Sequence, residues 1–260
     1  MLTLREILEK IAKNELPVDE AERLLNFLAL EEIDECAKID VNREFRSKVP
    51  EIILAEGKTN ADLTKMALKL LEKRGRVIIS RCSSEQMITL RNSLPESIML
   101  RWSEKARLMV IKKSEVAIAD SGGKVGLLTA GTSDIGVAEE AKIVAEELGC
   151  VVLTAYDVGV AGIHRLLKPL KEFVLKDVDC IIVVAGREGA LASVVTGLVD
   201  VPVIAVPTSN SYGFGEKGIS ALMAMLQSCS LGLAVVNIDG GVAAGAVAAL
   251  IANRAAKFRK

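Results

Sequence analysis

The chain is poor in aromatic residues, with one Trp, two Tyr and five Phe among its 260 residues. Its core must therefore be aliphatic, and it has little with which to stack nucleic-acid bases. It also lacks an excess of either charge, since 33 Lys and Arg stand against 34 Asp and Glu. No basic run is interleaved with aromatics, which argues against a nucleic-acid partner. Histidine occurs once, as His164, and the five cysteines (Cys36, Cys82, Cys150, Cys180 and Cys229) form no CxxC pair. These counts argue against a zinc cluster and a disulfide framework, and for reduced thiols in the cytoplasm. The longest apolar run, Val242 to Ala252, is too short to cross a bilayer. The start, MLTLREILEKIAKNE, is charged and amphipathic from its first turn, unlike a signal peptide, and no membrane partner is expected.

What is present is a pattern. Apolar positions at helical spacing predict helices over Leu4–Ala12 and Val18–Leu30, with Pro17 and Asp19 marking the second start. Residues 37–60 read as extended segments and turns. A helix from Ala61 to Lys73 capped by Asn60, a strand at Val77–Arg81 and a helix from Ser83 to Asn92 follow. Strand-like pieces then cover Ile98–Trp102, Leu108–Ile111 and Val116–Ala119. Ser121-Gly122-Gly123 is the best linker, which predicts an α+β domain over 1–122 and a second domain over 123–260. In that second domain the runs VGLLTA, VVLTAY, CIIVVAG, VPVIAVP and LAVVNI are each followed by a helical segment. These start near Asp134, Gly162, Gly189, Gly215 and Gly241. Consecutive β–α units predict a parallel, flavodoxin-like α/β sheet with helices on both faces, its ligand beyond the carboxyl ends of the strands.

The residues at those ends are therefore the candidates. Gly131-Thr132-Ser133-Asp134 could bind an anion at a helix start or simply cap the helix. His164 and Arg165 follow the second strand; the histidine is either catalytic or a surface residue, and Arg165 could clamp a carboxylate or phosphate. After the third strand, Gly186 and Gly189 bracket Arg187 and Glu188, with Glu188 either an acid–base group or a dipole-favoured helix start. Thr208, Ser209, Tyr212 and Gly213 lie in a loop too long and too rich in hydroxyls and glycine for a plain connector, though not a P-loop. Asp239 ends the last strand. Cys150 and Cys180 sit at strand starts in apolar runs and read as core. Cys229, in Gln-Ser-Cys-Ser, sits in a polar turn where a reactive thiol and an ordinary free cysteine both remain open.

Gly131-Thr132-Ser133-Asp134, His164-Arg165, the Ala185–Ala190 segment and Pro202–Pro207 together resemble the PurE family of purine-biosynthetic carboxylases and mutases. The extra N-terminal region, with Asp40-Val41-Asn42-Arg43, Arg46, Pro50–Ile53 and Glu56–Thr59, and Gln-Ser-Cys-Ser in place of Gln-Met-Pro, are similar to the LarB family of nickel-pincer cofactor biosynthesis. Gly240 and Arg187 depart from that pattern, the latter at a position commonly uncharged. The resemblance implies carboxylation of the pyridinium ring of nicotinic acid adenine dinucleotide by CO2 or bicarbonate, with phosphoanhydride hydrolysis and release of AMP. It also implies a homo-oligomer. Chemically, a pyridinium cannot attack CO2 until a thiolate adds to it, which suits Cys229. His164 and Glu188 are then the candidate ring-proton bases, with Asp134 as partner. Arg165 would hold a carboxylate. The Ser133 and Thr208–Gly215 loops would take the pyrophosphate, and Gly131, Gly186 and Asp239 would also bind substrate. No tightly bound cofactor is expected, and Mg2+ is left open. The rivals are an aminoimidazole ribonucleotide carboxylase or mutase, which needs no thiol, and a non-catalytic adenine-nucleotide module. In the N-terminal region, Arg43, Arg46 and Lys58 would either reach the adenylate phosphates or form solvated surface.

Overall fold

The computed structural model describes residues 4–28, 31–33, 37–40 and 43–259, so Cys36, Val41 and Asn42 lie outside the described residues. The chain divides into two compact units. One comprises the residues up to Trp102 with Leu108–Val116, and the other Ser103–Arg107 with Ala117–Lys260.

The first unit opens with helices α1 (Leu4–Ala12) and α2 (Val18–Leu28), then an antiparallel pair, β1 (Glu31–Ile33) and β2 (Ala37–Ile39). The 37–60 stretch holds a short helix, α3 (Arg43–Ser47), where only turns and extended chain were expected. Five residues are too few for hydrophobic periodicity to announce a helix. The remaining elements are β3 (Ile52–Leu54), α4 (Asn60–Arg74), β4 (Arg76–Ser80), α5 (Ser84–Ser93), β5 (Ile98–Ser103) and β6 (Leu108–Lys113). Helix α4 is capped by Thr59 rather than Asn60: the Thr59 hydroxyl accepts from the Asp62 amide at 3.1 Å. Gly75, at φ +68°, ends that helix in the left-handed region. Ser83 and Gln86 form a capping box on α5. The mixed sheet runs β3-β4-β6-β5, with β3 and β4 parallel and β4 and β6 antiparallel. Its core gathers Ile53, Leu63, Leu70, Val77, Ile79 and Met109. Val116–Ala119, expected as a strand, is irregular. Arg43 pairs with Glu51 and Arg46 with Asp40, so these two cations of the basic segment already have carboxylate partners.

The second unit consists of β7 (Lys124–Thr129), α6 (Ile135–Glu147), β8 (Val151–Ala155), α7 (His164–Leu175), β9 (Cys180–Ala185) and α8 (Ala190–Thr196). Then come β10 (Val203–Pro207), α9 (Ile219–Leu226), β11 (Leu233–Val235) and α10 (Gly241–Ala256). All strand pairs are parallel, in the order β11-β10-β9-β7-β8. Relabelled within the unit, this is the 2-1-3-4-5 order of flavodoxin-like sheets, with its topological switch beside the first strand.

Alternation along the strands explains the two layers. Val125, Leu127, Ile182, Val184, Ile204 and Val206 point to the face covered by Ala138, Ala141, Ala244 and Ala248 of α6 and α10. Leu128, Ile181, Val183, Val203 and Ala205 point to the other, against Leu166, Phe173, Leu191 and Met225 of α7, α8 and α9. A strand buried on both faces needs apolar residues at successive positions, which is why these runs read as unbroken. The α6–α10 layer is close: a Cβ at Gly245 would lie 2.4 Å from the carbonyl oxygen of Ala141. Among the described residues no helix is long and apolar enough to cross a membrane.

Candidate active site

At the carboxyl ends of β7, β8 and β9, where the strand order reverses, lies a pocket of about 400 Å³. Residues of four segments line it: Ala130, Gly131, Ser133 and Asp134 after β7, Gly159, Val160, Ala161 and Arg165 after β8, Ala185–Glu188, Ala190 and Leu191 after β9, and Asn210 after β10. Its size suits a small-molecule ligand.

Asp134 is the most constrained charged group in it. The residue is 3 % exposed. It does not cap α6: its side chain makes no bond to that helix start. Instead the carboxylate turns back and across. Oδ2 accepts from the Gly131 amide at 2.9 Å, and Oδ1 accepts from the Thr208 hydroxyl at 2.7 Å. Burial pushes its pKa above the ordinary value, opposed by the bonds from Thr208, Gly131, Asn210 and Gly186.

Gly186 is glycine because of this arrangement. A Cβ there would stand 2.7 Å from the Thr208 hydroxyl oxygen and 3.5 Å from Asp134 Oδ1. Any side chain would break the contact between the two. Thr208 itself is wholly buried, so its hydroxyl serves Asp134 and is not offered to a ligand. Asp239 likewise accepts from the Ser209 amide at 2.9 Å and braces the loop after β10. Asn210, which sequence reasoning passed over, donates to the Ser133 carbonyl at 2.7 Å and ties that loop to the turn after β7. Nothing in the string Thr-Ser-Asn-Ser marks the amide as the member that crosses.

Arg165 lines the pocket and is held by an ion pair with Asp157. Glu188 lines it as an exposed carboxylate with no partner among the described residues. Gly131, Ser133 and Gly186 also line it. His164, the first residue of α7, is exposed and outside the lining, as are Ser209, Tyr212 and Gly213. Among the described residues no three His, Cys, Asp or Glu side chains come together as a metal site.

Cys229 is the exposed thiol among the four described, and Cys82, Cys150 and Cys180 are buried. Burial pushes the Cys150 thiol up to about 11 and the Cys180 thiol up to about 12, so both are inert core groups. The turn that carries Cys229 is tied to α8. The Ser193 hydroxyl donates to that of Ser228 at 2.8 Å, and the Ser230 hydroxyl donates to the Ser193 carbonyl at 3.0 Å. Cys229 does not line the pocket. It precedes β11, whose first residue Leu233 pairs with Val203, the first residue of β10. The turn thus approaches the sheet from its amino-terminal side, away from the pocket of its own chain. Near it in the chain, Met223 (64 % exposed), Leu226 (67 %) and Leu231 (95 %) are exposed apolar side chains.

Residues 30–113 match the LarB/PurE-like N-terminal domain, and residues 124–259 match the AIR carboxylase domain. Among relatives, the "Uncharacterized protein MJ0165" of Methanocaldococcus jannaschii is 46 % identical over 251 residues, 96 % of either chain. With the two domains in this order and more than half the chain in the carboxylase match, the protein belongs to the LarB family of PurE-like, carboxylase-type proteins.

Proposed function

We propose that this protein carboxylates the pyridinium ring of nicotinic acid adenine dinucleotide with CO2 and releases AMP, yielding pyridinium-3,5-biscarboxylic acid mononucleotide. The observation that carries the reading is Cys229, a thiol in contact with solvent in a chain whose other described thiols are buried. An aminoimidazole substrate is already an electron-rich carbon nucleophile and needs no thiol. A pyridinium does.

The Cys229 thiolate adds its electron pair to a ring carbon, and the ring nitrogen takes up the displaced pair. The cation becomes a neutral dihydropyridine with enamine character. The enamine carbon attacks CO2 and forms the new C–C bond. A base removes the proton from that carbon, and expulsion of the thiolate restores the aromatic cation. Glu188, an unpartnered carboxylate in the pocket, is the base we favour, with His164 the alternative. Asp134, held in the pocket by the Gly131 amide and the Thr208 hydroxyl, relays it. Arg165 receives the ring carboxylate, and the Ser133 turn faces the pyrophosphate. Water then cleaves the phosphoanhydride, and AMP leaves. The reading needs no tightly bound cofactor, and a Mg2+ ion brought in on the pyrophosphate would be compatible with it. The reaction belongs in the cytoplasm, where Cys229 stays reduced.

Because Cys229 stands outside the pocket of its own chain, we assign the thiol of each site to a neighbouring copy in a homo-oligomer. Burial of Met223, Leu226 and Leu231 would drive that association. Incubation with the dinucleotide and labelled bicarbonate should place label in the ring with one AMP released per carboxylation, and mass spectrometry should find an adduct on Cys229. Asp134→Asn and Cys229→Ala should each be inactive, and mixed oligomers of the two should regain turnover. Turnover of aminoimidazole ribonucleotide that survives thiol alkylation would establish the purine carboxylase instead.

A further inference from the structure

The pocket contains two guanidinium groups, Arg165 and Arg187, in unlike surroundings. Arg165 is compensated by Asp157. Arg187 meets no carboxylate among the described residues. Its guanidinium lies over the ring of Tyr212, 3.9 Å from the centroid, and it donates to the Tyr212 hydroxyl. The backbone of Arg187 is in the left-handed region, at φ +53°, and its carbonyl accepts from the Ser220 hydroxyl at 2.8 Å. A non-glycine residue held there by its surroundings invites a functional explanation.

We propose that Arg187 is a clamp for a phosphoryl group of the substrate and that Tyr212 is the platform that presents it. An aromatic face attracts the cation without neutralising it and supports the guanidinium plane, so most of the in-plane N–H fork stays available for a phosphoryl group. A carboxylate partner would have occupied that fork and cancelled the charge, as Asp157 does for Arg165. The platform belongs to the loop after β10, which Asn210 ties to the Ser133 turn, and this is the side of the pocket where the pyrophosphate is expected. Arg165, already compensated, suits the singly charged ring carboxylate. Tyr212 acts through Arg187 and is a positioning residue. The assignment rests on the dinucleotide reading given above.

The test uses the full-length protein, with inorganic pyrophosphate as the phosphoryl probe and nicotinate as the carboxylate probe, both followed by titration calorimetry. Arg187→Met should weaken pyrophosphate binding by about tenfold or more, as expected for loss of a bidentate contact, and leave nicotinate binding unchanged. KM for the dinucleotide should rise by a similar factor, well beyond any fall in kcat. Arg187→Lys keeps the charge without the fork and should fall between wild type and Arg187→Met. It also serves if the Met variant fails to fold. Tyr212→Leu should reproduce part of the loss, and Tyr212→Phe, which keeps the ring, should reproduce less.

Unchanged pyrophosphate affinity in Arg187→Met, a loss confined to nicotinate, or no pyrophosphate binding by the wild type would each overturn the clamp. If the wild type makes no carboxylated product yet pyrophosphate binding still depends on Arg187, the clamp stands and the dinucleotide reading falls.

Discussion

The hydroxyl of Thr208 donates to the carboxylate of Asp134 across 74 residues of chain, joining the end of β10 to the turn after β7. Strand β9 lies between these two strands in the sheet, and its exit residue Gly186 leaves the gap through which the bond passes. The bond steadies a carboxyl that burial would otherwise drive further toward its protonated form.

Thr208→Val should therefore raise the pKa of Asp134 still further, because it removes a donor that favours the ionised form. If Asp134 must ionise during turnover, the acidic limb of kcat/KM against pH should move to higher pH. A stability loss of about 1–2 kcal/mol should accompany it, the cost of a buried acceptor losing its partner. A limb that stays where it was would remove Asp134 from the proton path.

The same carboxyl gives stability a pH dependence. A folded-state pKa above the ordinary 3.8 means that the folded chain holds this proton more tightly than the unfolded chain. The contribution of Asp134 to stability should thus fall as pH rises from about 3.8 through the raised value, and the cost is complete above it. Asp134→Asn removes the titration. Its stability relative to wild type should be better at neutral pH than below the window, as read from denaturant unfolding at a series of pH values.

Thiol reactivity should separate the described cysteines. Brief alkylation of the native protein should label Cys229 and spare Cys82, Cys150 and Cys180, by peptide mass spectrometry. Cys229→Ala should lose about a thousandfold or more in turnover and keep its melting temperature, as for loss of a covalent nucleophile. Cys180→Ala should do the reverse, losing about 1 kcal/mol of stability with turnover intact.

Close packing of α6 on α10 predicts a fourth result. Gly245→Ala would set a methyl group 2.4 Å from the Ala141 carbonyl oxygen, where only backbone can give way. Destabilisation of about 1–3 kcal/mol is expected from overpacking, visible as a lower melting temperature. Gly126→Ala, whose Cβ would meet the buried Phe173 ring at 2.6 Å, should behave alike.

Much of the second unit was legible in the chain itself. Strand and helix periods are local properties, so Val125–Leu128 or Cys180–Ala185 announce buried parallel strands without reference to anything distant. The strand ends, and with them Gly131, Ser133, Asp134, Arg165, Gly186 and Glu188 as pocket residues, follow from the same rule. Local signals failed where an element is short or is set by its neighbours. LAVVNI reads as six strand residues, but only Leu233–Val235 pair with β10.

The linear order of residues determined the alternation of strand and helix, the aliphatic core and the set of groups gathered at the strand ends. Only the tertiary structure decided what those groups do to one another. It turned Asp134 from its own helix toward Thr208, committed Arg165 to Asp157, laid Arg187 over Tyr212 and kept Cys229 out of its chain's pocket. Each outcome depends on which strands become neighbours. That depends on burying both faces of the sheet at once, a condition on the whole chain that no short window of sequence contains.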